Sequence, residues 1–261
     1  MHEGQSVSLV TGVMRRTPSL LAVLPTWLAL RELDEIVIVD WGGDASMCEA
    51  VRSAGLRDSR LCFYRVPGVS CWEFSACANL GISVAVGERI LRTDVDVAFA
   101  PGFFADLPLV SDEFWTGYWG QARDHNECHL NGTIYTHRES FLVVNGYNER
   151  LVGYGYDDED LYARLCAQGF GRRFLDHDLM RHLPHGDDLR VSCAPEIPIR
   201  EDVRLLVPSV DNATCSQQLE RSNTYNRKLA NVQPWTVQDR RAIWTVAHMD
   251  DGFWYCQRRA R

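Results

Sequence analysis

The stretch ERILRTDVDVAFAPGFF, residues 88–104, decides the reading of the whole chain. A short apolar run climbs to Asp94-Val95-Asp96 and then drops into a Pro-Gly turn. The run reads as a buried strand. Alternate side chains of an extended backbone share a side, so Asp94 and Asp96 would face one way and Val95 the other, into the core. Two carboxylates this close repel unless a cation lies beside them. Hard oxygen ligands suit Mg2+ or Mn2+, above all where phosphate oxygens complete the shell. The competing reading is a strand-end turn that binds nothing, because a D-x-D triplet is short and common by chance.

Working outward, the upstream sequence alternates strand and helix. VSLVTGV (7–13), EIVIVD (35–40) and RLCFYRV (60–66) read as buried strands. PSLLAVLPTWLALREL (18–33) has helical spacing, with Thr17 as N-cap and Pro18 opening the first turn. DASMCEAVRSAG (44–55) and SCWEFSACANLGISVAV (70–86) read as further helices. This β-α-β-α-β-α-β order predicts an α/β fold with a mostly parallel central sheet flanked by helices. Ligands of such sheets bind beyond the carboxyl ends of the strands. Asp40, the pair Asp94 and Asp96, and the segment with Arg15 and Arg16 all fall at such ends.

The second half is less regular. EFWTGYWGQ (113–121) and GTIYTH (132–137) read as strands, RESFLVVNGY (138–147) as a short helix, and DDEDLYARLCAQG (157–169) as a helix closed at Gly169. The acids opening that last helix suit its N-terminal dipole. They do not account for the preceding Gly-Tyr-Gly-Tyr. There, glycines permit close backbone approach and tyrosines offer faces on which sugars stack. DLMRHLPHG (178–186) adds His182 and His185, each as consistent with a core or surface histidine as with a ligand. Beyond residue 186 the pattern weakens. PEIPIREDVRLLVP (195–208) and SNTYNRKLANVQPWTVQDRRAIW (222–244) suggest an extension with some helix.

Composition narrows the class. Of 261 residues, 46% are hydrophobic and 24% charged, ordinary for a globular chain with a core. A net charge of −8 argues against a duplex-DNA binder. Nine cysteines without a CxxC pair read as reduced thiols, not as a disulfide or zinc framework. No basic leader and no apolar stretch of membrane-spanning length is present. The expectation is a cytoplasmic protein of bacterial or viral origin, in which the sequons at Asn131 and Asn212 carry no meaning.

Taken together, DVDVAF, then NGTIYTHRESFLVVNGYNERLVGYGYDDEDLYARL (131–165), then LMRHL, resemble inverting, metal-dependent glycosyltransferases of the GT-A fold. The likeness is to the β-1,4-galactosyltransferases and family-2 relatives such as chondroitin-polymerase-like enzymes, and it spans roughly residues 6–186. It implies a catalytic domain over 1–186, with a donor-binding half to about residue 100 and an acceptor-binding half from 101, and an extension over 187–261 packed on it. It implies Asp96 as the main metal ligand, with Asp94 supporting the metal or the donor ribose, and His182 as a further ligand. Leu179 stands where the family has a ligating methionine, so Met180, His185 or water would have to compensate. Gly12, Arg16 and Asp40 would bind the donor nucleotide, as would Asn79, although the basic residue that often precedes that asparagine is missing from FSACANLG. Tyr154 and Asp157 would bind the acceptor, and Asp158 would be the catalytic base. The reaction implied is transfer of a sugar from a UDP-sugar to a hydroxyl with inversion, using Mn2+ or Mg2+. The acceptor is open among a glycan, a protein side chain and a modified DNA base. A nucleotidyltransferase, a metal-dependent phosphatase and a non-catalytic carbohydrate-binding pseudoenzyme are the rival readings.

Overall fold

Four strands and three helices alternate through the first 92 residues. They are β1 (Val7–Val13), α1 (Thr17–Leu28), β2 (Glu35–Gly42), α2 (Met47–Ser53), β3 (Leu61–Pro67), α3 (Phe74–Val84) and β4 (Arg89–Arg92). They are seen in a computed structural model that describes residues 5–43, 46–188, 215–236, 242–250 and 253–260. The chain continues through β5 (Val97–Phe99), β6 (Glu113–Thr116), β7 (Ile134–His137), α4 (Arg138–Val143), α5 (Asp157–Ala167), β8 (Gly171–Phe174) and β9 (Met180–His182). The described part of the extension comprises α6 (Cys215–Val232) and the hairpin strands β10 (Ala242–Asp250) and β11 (Phe253–Ala260).

Among the described residues, nine strands form one sheet in the order β10-β11-β3-β2-β1-β4-β7-β6-β8. Strand β1 lies parallel to β2 and β4, and β3 lies parallel to β2 and β11. Strand β7 runs antiparallel to β4 and β6. Both faces of the inner strands are covered, which is why their sequences are near-continuous apolar runs. The period of two still sorts the side chains. Leu9, Val13, Ile36 and Ile38 pack with α1 and α2, whereas Val10, Val37 and Val39 pack with α3 and, further along, α5.

A second, two-stranded ladder pairs β5 with β9 and sets Val97 opposite His182. Trp27 of α1, fully buried, donates its indole N–H to the Val97 carbonyl at 2.8 Å, which ties this ladder to the main body. The pairing brings His182 next to Asp96 across some eighty residues of chain.

Three expectations need correcting. The strand that contains the D-x-D stops at Arg92, and the Val97 N–H closes a turn onto the Asp94 carbonyl at 3.2 Å. At the point where the strand ends, Thr93 is buried and bonded through its hydroxyl to Thr133, the residue just before β7, at 3.0 Å. The helix expected from residue 70 starts at Phe74, and the strand expected over 113–121 ends at Thr116. In the described part of the extension, the hairpin continues the main sheet on the β3 edge. The stretch 195–208, Cys193 and Asn212 lie outside the described residues. No helix among the described residues is long and apolar enough to cross a membrane.

Candidate active site

A cavity of about 430 Å³ opens beyond the carboxyl ends of β1 and β4. Gly12, Arg16, Asp94, Asp96, Tyr154, Asp157, Asp158, His182 and His185 all line it. Asp40 and Asn79 do not. Asp40 is buried at the end of β2 and accepts from Arg65 Nε at 2.6 Å, and the Arg65 guanidinium lies over the Phe253 ring of the hairpin at 3.7 Å. Asn79 is buried in α3, where its Nδ2 donates to the Tyr147 carbonyl and to Glu149, and its Oδ1 accepts from the Tyr147 N–H. It clasps the 145–149 turn from beneath.

Asp96, His182 and His185 converge, with potential ligand atoms all within 4.8 Å of one another. His182 Nδ1 lies 2.6 Å from Asn126 Oδ1, and Asn126 Nδ2 donates back to the His182 carbonyl. An amide oxygen only accepts, so Nδ1 carries the proton and Nε2 presents its lone pair 3.5 Å from Asp96 Oδ1. His185 Nδ1 lies 3.1 Å from the Gly186 carbonyl, and its Nε2 lies 2.9 Å from Asp96 Oδ2, where without an ion it can donate a proton to the carboxylate. Arg16 Nη1 donates into the same point, 2.6 Å from Asp96 Oδ2 and 2.9 Å from His185 Nε2. Burial would push the Asp96 carboxyl up, but the hydrogen bond from His185, the charge His182 carries when it is protonated, and the Arg16 guanidinium outweigh it and hold the group below its ordinary value. Its Oδ1 is buried without a hydrogen-bond partner. One carboxylate and two oriented imidazole nitrogens, with that orphaned oxygen between them, form a donor set that fits Mn2+ or another divalent ion. Met180, by contrast, is buried in the core beside β5 and does not line the cavity.

The opposite wall is built on Arg92, the last residue of β4. Its guanidinium is buried, donates to the Gly132 carbonyl at 2.6 Å, pairs with Asp94, and lies over the Phe74 ring at 4.2 Å. Asp158 Oδ1 stands 3.7 Å from the same guanidinium and has no hydrogen-bond partner. Burial, opposed by Arg92 and reinforced by the charges of Asp94 and Glu159, pushes the Asp158 carboxyl up to about 7. Burial and the neighbouring Asp158 push Asp157 up to about 8, although Ser75 Oγ donates to it at 2.9 Å. These acids open α5, whose N-cap, Tyr156, holds a left-handed φ of 70°. A tyrosine is found there only when surrounding contacts enforce it.

Those contacts come from α6. Ser222 Oγ accepts from the Tyr154 N–H at 2.7 Å, and Asn226 Nδ2 donates to the Gly155 carbonyl at 2.8 Å. At the other end of the cavity, Trp72 closes over Gly12: a Cβ on Gly12 would collide with Cys77 Sγ and come within 2.7 Å of the Trp72 ring. Arg92, Asn126, Trp72, Asn223 and Arg227 were not singled out from sequence. Arg92 had a signal, a charge inside an apolar strand immediately before the D-x-D. The others are polar or aromatic residues whose types carry no signature of a site.

The fold is that of the GT-A glycosyltransferases. Residues 117–186 match the family model described as the N-terminal domain of galactosyltransferase. Among solved structures, the catalytic domain of Drosophila β1,4-galactosyltransferase 7, as a mutant in complex with manganese, UDP-Gal and xylobiose, superposes with a TM-score of 0.58 at 11% identity, over 99% of this chain and 96% of that one. The mannosyltransferase PcManGT of Pyrobaculum calidifontis, in complex with GDP-Man and Mn2+, superposes with a TM-score of 0.57 at 14% identity, over 91% of this chain and 73% of that one. The search of curated proteins finds no match.

Proposed function

We propose that this protein is a metal-dependent glycosyltransferase that moves a sugar from a UDP-sugar to an acceptor hydroxyl with inversion. The observation that carries the reading is the shared cavity: a donor set suited to a divalent ion on one wall and, on the other, the carboxylate of Asp158, whose Oδ1 accepts no hydrogen bond. Asp96, His182 and His185 would hold Mn2+ or Mg2+. When bound, the ion supplies charge neutralisation for the departing diphosphate. Arg16 is placed to bond the same phosphates, and Gly12 lines the cavity beside Trp72, which packs directly against it and offers its indole ring as a face for the flat nucleobase. Asp158 receives the proton of the attacking hydroxyl at Oδ1, while Arg92 stabilises the ionised form beforehand. Tyr154 offers the acceptor a stacking face, and Asp157 offers it a carboxyl that is largely neutral at pH 7. The same relatives that share the fold include proteins complexed with Mn2+ and a nucleotide sugar, which supports the reading.

The first test is release of UDP from a panel of UDP-sugars with and without Mn2+. Asp158→Asn is expected to lose ~10²–10⁴-fold in turnover while retaining UDP affinity, and NMR of the product anomer reads the stereochemistry. Near-normal turnover in Asp158→Asn removes that residue from the role. Transfer of the nucleotide in place of the sugar would favour a nucleotidyltransferase.

A further inference from the structure

Helix α6 presents two adjacent faces to the site. Ser222 and Asn226, one turn apart, hold the backbone of the 152–155 loop. Asn223 and Arg227 are offset from them by one residue, or about 100° around the helix, and line the cavity. The packing is close: a Cβ added to Gly155, whose φ is +88°, would lie 2.9 Å from Asn223 Cβ. Only glycine lets the loop approach α6 this way.

The charges at the site are otherwise committed. Asp94 pairs with Arg92, Asp96 with Arg16, and Glu159 with Arg172. Arg227 makes no ion pair with any described carboxylate, although Asp157, Asp158 and Glu159 line the same cavity. Arg227 is exposed at the rim of the cavity, and a guanidinium there without a carboxylate partner presents its donors to whatever enters. Its planar fork matches a carboxylate, phosphate or sulfate. The diphosphate of a donor is met by Arg16 and the Asp96 cluster, whereas Arg227 acts on Tyr156, the N-cap of α5.

We infer that Asn223 and Arg227 form part of the acceptor site and select an acceptor that carries an anionic group near the hydroxyl to be glycosylated. The inference rests on the transferase reading for the word acceptor, but its test does not need turnover.

The full chain is titrated calorimetrically with p-nitrophenyl β-D-glucuronide, with the corresponding β-D-glucoside and with glucose 6-phosphate, and separately with UDP in Mn2+. Wild type is expected to bind at least one of the two anions about tenfold tighter than the glucoside, the size of one charge-assisted hydrogen-bonded contact. The two anionic arms tell carboxylate from phosphate. R227Q is expected to abolish that preference and R227K to keep part of it, with UDP affinity within about twofold of wild type in both, since Arg16 and Asp96 pair with each other and not with Arg227. Equal affinities for all three saccharides, no binding of either anion, or a preference that survives in R227Q would overturn the inference. Failure of wild type to bind UDP, with the anion preference intact, would instead sink the donor reading and leave the anion site standing.

Discussion

Replacing Asp157 with asparagine should make the ligand-free protein more stable, increasingly so as the pH rises. The carboxyl is buried, accepts from Ser75 Oγ and is raised from 3.8 to about 8, first by burial and then by Asp158. The native state therefore keeps this proton to near pH 8, while the unfolded chain releases it near pH 4. Between those values the unfolded state holds fewer protons, so the free energy of unfolding falls as the pH rises. The interval corresponds to ~6 kcal/mol at ~1.4 kcal/mol per tenfold change in proton affinity. Part of that is repulsion from Asp158, which is absent while Asp158 is itself protonated, so a difference of ~3 kcal/mol is the reasonable expectation. Asparagine has the same shape, can still accept from Ser75, and never ionises. Urea unfolding of both proteins at about pH 5 and about pH 9 reads the effect. The curves should nearly coincide in acid and separate in base, with the variant the more stable. Parallel pH dependences would refute the argument, because they would mean that Asp157 is already ionised in the folded protein at neutral pH.

Asn126→Ala removes the partner that fixes the His182 tautomer and should weaken Mn2+ binding ~10–100-fold, measured by calorimetry with the fold checked by circular dichroism. Arg92→Lys cannot reproduce both the Gly132 bond and the placement over Phe74. Because Arg92 lowers the Asp158 carboxyl, the acid limb of the kcat/KM profile, expected near 7 from Asp158, should move to higher pH; an unmoved limb would separate Arg92 from the base. Gly12→Ala drives a methyl into Cys77 and Trp72, which should cost ~1–3 kcal/mol of stability or displace Trp72 and weaken UDP binding, read by thermal melting and calorimetry.

The sheet was legible because burial on both faces leaves strands with little choice of composition, whereas the helix starts were read less evenly: α3 has no capping side chain and begins four residues late, and Thr17 is the first residue of α1 while Arg16 is its N-cap. Thr17-Pro18 and the acids at 157–160 stand at the observed helix starts. Local patterns misjudged Asp94 and Asp96. Their approach to one cavity survives, yet by a turn, closed by the Val97 N–H on the Asp94 carbonyl, that no rule of alternation anticipates. Asn79 and Asp40 show a similar limit. Their positions in the chain match a donor site, but the partners that occupy them, the 145–149 turn and Arg65, are fixed by tertiary packing. The wall contributed by α6 lay beyond reach for a different reason: it approaches the tyrosine loop from some seventy residues downstream, through Ser222 and Asn226, residues that carry no signature of their own.

The distribution of protons across the cavity argues for a division of labour among residues of one chemical type. Asp96 and Asp158 are both aspartates in largely dry surroundings, and burial acts on each in the same direction. What differs is the company. Two imidazoles and an arginine surround Asp96 and keep it charged, the state in which a carboxylate holds a cation. Asp158 meets one shared arginine and is flanked by Asp94 and Glu159, so its proton is held to near neutrality, the range in which a general base is effective. Environments that drive like groups apart in this way mark separate acid–base assignments. The arrangement also explains why Arg92 is buried: a cation fixed between Asp94 and Asp158 keeps the second carboxyl from rising still further, into a range where it would stay protonated at pH 7. Neutralising Arg92 without replacing its charge, as in Arg92→Met, should therefore abolish turnover near neutral pH and restore part of it in base, while Mn2+ affinity at Asp96 changes little. A loss of turnover equal at all pH values would mean that Arg92 acts on the fold alone.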